Sequence, residues 1–105
     1  MAVREGLLAL LDGAPSHGYQ LKTGFEAATG GVWSLNVGQV YTTLERLERD
    51  GFVTGKWVVM EERPQRRRYY SITVRGRREL ARRREDWRGF SRAVEMVLEA
   101  RYAHV

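Results

Sequence analysis

NVGQVYTTLERLERDG, residues 36–51, has the spacing of a helix with one apolar side and one polar side. Val37, Val40, Leu44 and Leu47 follow at steps of three or four, so they fall on one side of an α-helix as a buried stripe. At about 100° per residue, Thr42, Arg46 and Arg49 point the other way, flanked by Gln39 and Thr43. Asn36 or Ser34 is suited to cap the start of this helix, and Gly51 to end it. Tyr41 lies at the edge of the stripe and can serve either side. An outer face of small polar and basic side chains is suited to the major groove of DNA.

Downstream, Phe52 to Met60 reads as a strand, Glu61-Glu62-Arg63-Pro64-Gln65 as a loop, and Arg67 to Thr73 as the return strand. Tyr70 and Ile72 turn inward at period two. Upstream, Val3 to Leu11 predicts a short helix with Leu7, Leu8, Leu10 and Leu11 as core candidates, stopped by Asp12-Gly13-Ala14-Pro15. Ser16 is expected to cap a second helix over Gly18 to Thr29, with Tyr19, Leu21, Phe25 and Ala28 inward and Gly30-Gly31 at its end. Val32 to Leu35 is a turn with two bulky anchors. Thr73 is expected to cap a last helix from Val74 to about Tyr102.

Three helices, a hairpin rich in arginine and a long helix give a fold that is mainly α with a small β-hairpin. The order is that of a winged helix-turn-helix, over residues 1–73, plus a C-terminal dimerisation helix over residues 74–105, the two forming one structural unit.

A chain of 105 residues buries about 65% of its unfolded surface, enough for one modest core. With no cysteine there is neither a disulfide framework nor a thiolate metal site. The apolar run at Gly6 to Leu11 is too short for a signal-peptide core, and nothing later is long enough for a bilayer span, so a cytoplasmic location is expected. The net charge of +5 is unevenly placed: residues 63–92 hold 12 arginines against 3 acidic residues, whereas residues 1–62 are net acidic. Such a block suggests a polyanionic partner, and a solvated arginine-rich helix face is the plainer reading of it.

The last helix carries Leu80, Trp87, Phe90, Val94, Val97 and Leu98. From Trp87 onward the steps run 3, 4, 3, a coiled-coil-like seam. Its length, roughly 40 Å at about 1.5 Å per residue, is more than so small a domain covers by itself. A two-fold homodimer follows, with Leu7, Leu11, Leu80, Trp87, Phe90, Val94, Val97 and Leu98 as its expected interface. Trp87 and Phe90 on that seam could also enclose a small planar hydrophobic ligand, or serve simply as dimer core.

The candidate DNA-binding residues are Asn36, Gln39, Tyr41, Thr42, Thr43 and Arg46 on or beside the third helix, with Arg66 and Arg67 on the hairpin. Gln39 suits adenine, Arg46 guanine or a phosphate, and the threonines phosphates or a thymine methyl. Glu61 and Glu62 would repel phosphates if they lay at the hairpin tip. His17 and His104 have no Cys, Asp or Glu at ligand spacing, so no metal site is expected, and no cofactor. No nucleophile is paired with a base and no glycine-rich phosphate loop occurs, so an enzyme is not expected. A protein-interaction winged helix that never touches DNA remains an alternative.

HGYQL (His17 to Leu21), GxWxLNVGQVYTTLERLERDGFV (Gly31 to Val53), RRRYYSIT (Arg66 to Thr73) and the TxxG helix start (Thr73 to Gly76) closely resemble the PadR-type transcriptional regulators. The resemblance covers nearly all of residues 5–80. It implies a cytoplasmic homodimer whose winged helix-turn-helix binds a palindromic operator and usually represses. By position it implies that Gln39, Tyr41, Thr42 and Arg46 face DNA and that Arg66 and Arg67 are wing contacts. The chain looks like the short branch, without a separate C-terminal helical domain. Members of that branch can bind flat hydrophobic drugs between paired aromatics of their last helices, and Trp87 falls where such a residue would be. Residues 61–65 depart from the many relatives whose loop is richer in glycine.

Overall fold

A computed structural model describes residues 3–61 and 65–103, with side chains as far as Ala100. The elements run α1 (Val3–Gly13), β1 (Ser16–His17), α2 (Gly18–Ala28), α3 (Val37–Arg49), β2 (Val53–Val59), β3 (Arg66–Ile72) and α4 (Val74–Ala103). The loop residues Glu62, Arg63 and Pro64, and His104, lie outside the described residues. Among the described residues no helix is long and apolar enough to cross a membrane.

The core forms where the apolar stripes of α1, α2 and α3 meet β3. Leu7, Leu8 and Leu11 from α1, Leu21 and Phe25 from α2, and Val40, Leu44 and Leu47 from α3 are all buried. Leu35, Val53, Tyr70, Ile72 and Leu80 close it. Each such side chain contributes about 1.5–3 kcal/mol by leaving water. Two residues expected inward are not: Tyr19 and Val37 are exposed. Both lie in the first turn of a helix. Ala28 is exposed as well, in the last turn of α2. Leu10, a core candidate, is only half-buried and packs at the edge of the core.

The helix ends follow local chemistry. Gly51 takes φ +80° after α3; its N–H bonds the Glu48 carbonyl (3.1 Å) and the Phe52 N–H bonds that of Leu47 (2.9 Å). This crossed pair satisfies two terminal carbonyls and turns the chain straight into β2. The start of α2 differs from expectation. Its cap is His17, not Ser16: His17 Nδ1 accepts from the Gln20 N–H (3.2 Å) while Gln20 Oε1 accepts from the His17 N–H (3.1 Å). Ser16 instead donates to the Ala14 carbonyl.

The hairpin β2–β3 is antiparallel, Trp57 facing Arg68 and Val53 facing Ile72. It gains a third strand that periodicity does not reveal, because Ser16 and His17 pair with Tyr70 and Tyr69 on the far side of β3. Thr73 caps α4 as expected, its Oγ1 accepting from the Gly76 N–H (2.9 Å) and donating to the Gly51 carbonyl (2.7 Å). Gly76 is required there: a β-carbon on it would collide with the Phe52 carbonyl oxygen.

Helix α4 then leaves the domain, and the chain extends 66 Å along its longest axis against 29 and 20 Å across. Among its described side chains Leu80 is the last buried one; from Ala81 to Ala100 every residue but Ser91 is exposed.

Candidate nucleic-acid interface

The geometry of α3 sets the site. Asn36 Oδ1 accepts from the Gln39 N–H at 3.0 Å, so its carbonyl is committed to the cap and its amide hydrogens remain available. Gln39, Thr42 and Arg46 are exposed along the outer face. Thr43 is half-buried beside them. Both threonine hydroxyls donate back to the helix, Thr42 to the Gly38 carbonyl (2.9 Å) and Thr43 to that of Gln39 (2.7 Å). Their hydrogens are thereby occupied, which leaves a methyl group and an accepting oxygen as what the threonines offer a partner. Thr43, Arg46 and Gln39 share a shallow hollow with Val3 and Arg4 of α1.

Tyr41 departs from the stripe edge and lies against Gly18 at the start of α2. Its ring opens on a cleft of about 480 Å³ between the starts of α2 and α3 and the loop-side half of the hairpin. Tyr19 and Trp57 line that cleft together with Arg66, Arg67 and Arg68.

The three arginines are held differently. Arg66 and Arg68 share a face, as alternation requires, with guanidiniums 5.5 and 5.4 Å from the centre of the Trp57 ring. Arg68 also pairs with Glu48 of α3 at 2.7 Å, which ties the hairpin to the helix. Arg67 is half-buried, with Nη1 2.7 Å from His17 Nε2. A neutral imidazole has one accepting nitrogen, so the Arg67 guanidinium and the Gln20 N–H compete for the one lone pair of the ring. Among the described residues neither Arg66 nor Arg67 pairs with a carboxylate. Sequence reasoning missed Trp57, Tyr19, His17 and Glu48 as parts of this surface; His17 and Arg67 stand 50 positions apart in the chain, so no local spacing points to their meeting.

The expected dimer residues divide. Leu7, Leu11 and Leu80 are sealed inside the protomer's own core, at 0%, 2% and 2% exposure, and have no surface left for a partner. Trp87, Phe90, Val94, Val97 and Leu98 are exposed and share the bare part of α4. The Trp87 and Phe90 rings lie 6.1 Å apart and border a cleft of about 220 Å³ whose other walls are Glu5, Arg83 and Asp86. Arg82 and Arg83 do more than solvate the helix: both donate to Glu79, at 2.7 and 3.0 Å, and Arg83 lies 3.7 Å from the buried Glu5 of α1.

Among the described residues no group of three or more His, Cys, Asp or Glu could hold a metal ion.

A model of the transcriptional regulator PadR-like family matches residues 7–82. A Mycobacterium tuberculosis protein named as a transcriptional regulator is 34% identical over 82 residues, 78% of this chain and 43% of that protein. The negative transcriptional regulator PadR of Bacillus subtilis is 27% identical over 85 residues, 81% of this chain and 44% of its own. The chain thus spans less than half the length of these relatives. The crystal structure of Bacillus subtilis PadR with operator DNA superposes with a TM-score of 0.69 at 27% identity, covering 82% of this chain and 46% of that one. A PadR-like transcriptional regulator of Bacillus cereus superposes with a TM-score of 0.75 at 25% identity, covering 90% and 89%.

Proposed function

This chain belongs to the PadR-like family of transcriptional regulators, and from that premise we propose that it is a repressor that binds a palindromic operator as a homodimer in the cytoplasm. The observation that carries the reading is the outer face of α3, with Gln39, Thr42 and Arg46 uncovered by the chain itself. Arg66 and Arg67, without carboxylate partners among the described residues, stand beside it at the hairpin. In this reading α3 enters the major groove, where Gln39 and Arg46 meet base edges and Thr42 and Thr43 offer methyls or accepting oxygens. Asn36, Tyr41, Arg66 and Arg67 hold the backbone and set the register.

The dimer reading rests on α4. Six large apolar side chains in water beyond Leu80, Met96 among them, call for a cover. An apolar groove of about 290 Å³ between α1 and α2, lined by Leu10, Phe25 and Trp33, is a further surface such a partner helix could use. A two-fold arrangement would present the two α3 helices about 34 Å apart, one turn of DNA.

The test is a gel-shift titration on the DNA upstream of the protein's own coding sequence, at two salt concentrations. Affinity should fall steeply with salt, log K dropping by about 0.9 per phosphate contact for each unit of log salt. Equal, weak binding to every duplex would overturn the sequence-specific part.

A second reading is carried by Trp87 and Phe90, exposed on the seam and bordering a cleft. A planar hydrophobic ligand held between Trp87 and its symmetry mate would change the spacing of the two α3 helices and release the operator. Quenching of fluorescence by planar dyes, lost in Trp87→Ala and kept when Trp33 or Trp57 is changed, would support it. The third alternative, a protein-docking winged helix, predicts no operator binding to lose on reversing charge at Arg46 and Arg66.

A further inference from the structure

The cleft beside the loop-side half of the hairpin has a composition that a plain DNA-backbone contact does not need. Tyr19, Trp57 and Tyr41 open on it with 58%, 56% and 41% of their surfaces in water. None of the three belongs to the core. Exposed rings beside guanidiniums are a pairing that stacks a planar group and binds an anion at once. At about 480 Å³ the cleft lies within the range typical of small-molecule sites, roughly 300–1,000 Å³.

The charges in the cleft discriminate between anions. Arg68 is committed: it pairs with Glu48 at 2.7 Å and lies so close to Gly55 that a β-carbon there would be 2.6 Å from its guanidinium carbon. Among the described residues Arg66 meets only the Trp57 ring, and Arg67 uses one nitrogen on His17. Both side chains line the cleft although they alternate across β3, and their guanidiniums keep most of their donors. One carboxylate fills one such fork, whereas a phosphate monoester brings three terminal oxygens and nearly two negative charges, enough for both.

We propose that this cleft binds a free nucleoside phosphate, its base stacked on the aromatic rings and its phosphate held by Arg66 and Arg67, in competition with operator DNA. The competition rests on the reading of the protein as a DNA-binding regulator; the binding does not. A nucleotide of a DNA strand carries the same ring and phosphate, so the two sources must be told apart by experiment.

The protein alone, without DNA, is titrated by calorimetry and tryptophan fluorescence with adenosine 5′-monophosphate, guanosine 5′-monophosphate, inorganic phosphate and adenosine. At least one nucleotide should bind once per chain, about tenfold or more tighter than phosphate or adenosine. Arg66→Ala and Trp57→Leu should each weaken it by about tenfold, Trp57→Phe should retain it, and Arg88→Ala should leave it unchanged. Thermal melts establish that each variant is folded. Phosphate binding as tightly as the nucleotides would overturn the proposal, leaving only an anion patch, and so would the absence of nucleotide binding at millimolar concentration. Release of a labelled operator fragment by the nucleotide supports competition, and an undiminished complex at saturation overturns it. Nucleotide binding by a protein that binds no duplex would sink the regulator reading and leave the cleft standing; duplex binding without nucleotide binding would do the reverse.

Discussion

The phenol ring of Tyr41 rests against Gly18, so closely that a β-carbon on Gly18 would lie 2.7 Å from Cζ of the ring. Helices α3 and α2 therefore touch through a ring and a bare backbone, and the glycine of HGY and the tyrosine of VGQVY are one feature. Gly18→Ala should push the ring out of place, with an overpacking cost of about 1–3 kcal/mol. Thermal unfolding reads the cost. Operator affinity should fall with it, and both losses should shrink in a Tyr41→Ala background, where the ring is gone.

Gln39 and Arg46 make a different kind of prediction, because neither side chain supports the fold. Gln39→Ala should leave the melting temperature unchanged and remove about 1–3 kcal/mol of discrimination at one base pair. The check is binding to operators altered one position at a time: a preference that stays intact at every position would rule out a base contact at Gln39.

Some of this surface was legible in the sequence and some was not. The Asn36 cap, the stripe of Val40, Leu44 and Leu47, the glycine stop at Gly51 and the Thr73 cap depend on neighbours three or four residues away, so a linear reading finds them. Tyr19 and Val37 escaped it because whether the first turn of a helix is covered depends on what packs there, not on its own spacing. The Ser16–His17 strand exists only because β3 has a free edge beside it. Leu7, Leu11 and Leu80 showed the same limit from the other side: apolar residues are recognisable as needing cover, but the sequence does not say whether the cover is the same chain or another.

Val97 offers a clean test of the second copy. It is 69% exposed, so Val97→Glu takes nothing from the protomer's core. The variant should sediment as a single chain at concentrations where the parent sediments as a pair, and it should lose operator affinity while each subunit retains its far-ultraviolet dichroism. A variant that still pairs would show that the seam is not the interface.

Glu79 gives a dependence on acidity with a definite sign. Its burial alone would raise the carboxyl pKa, but hydrogen bonds from Arg83 and Arg82, with their charges, outweigh that and hold it below the ordinary value of 4.5. A carboxyl depressed in the folded state stabilises above its unfolded value and ceases to do so as pH falls through the folded one. The contribution is about 0.2–1 kcal/mol, because Arg82 and Arg83 are largely in solvent. Between about pH 5 and 3 the parent should therefore lose stability more steeply than Glu79→Gln, as urea titrations at each pH would read.

The naked stretch of α4 beyond Leu80 has a consequence for the life of the protein in a cell. A lone subunit carries some twenty residues of helix with little tertiary support, and such a segment frays and is open to proteases. If pairing shields it, newly made subunits at low abundance are cleared faster than those that have met a mate. Copy number then sets lifetime as well as occupancy, and a shutdown of synthesis would empty the promoter sooner than dilution by growth alone.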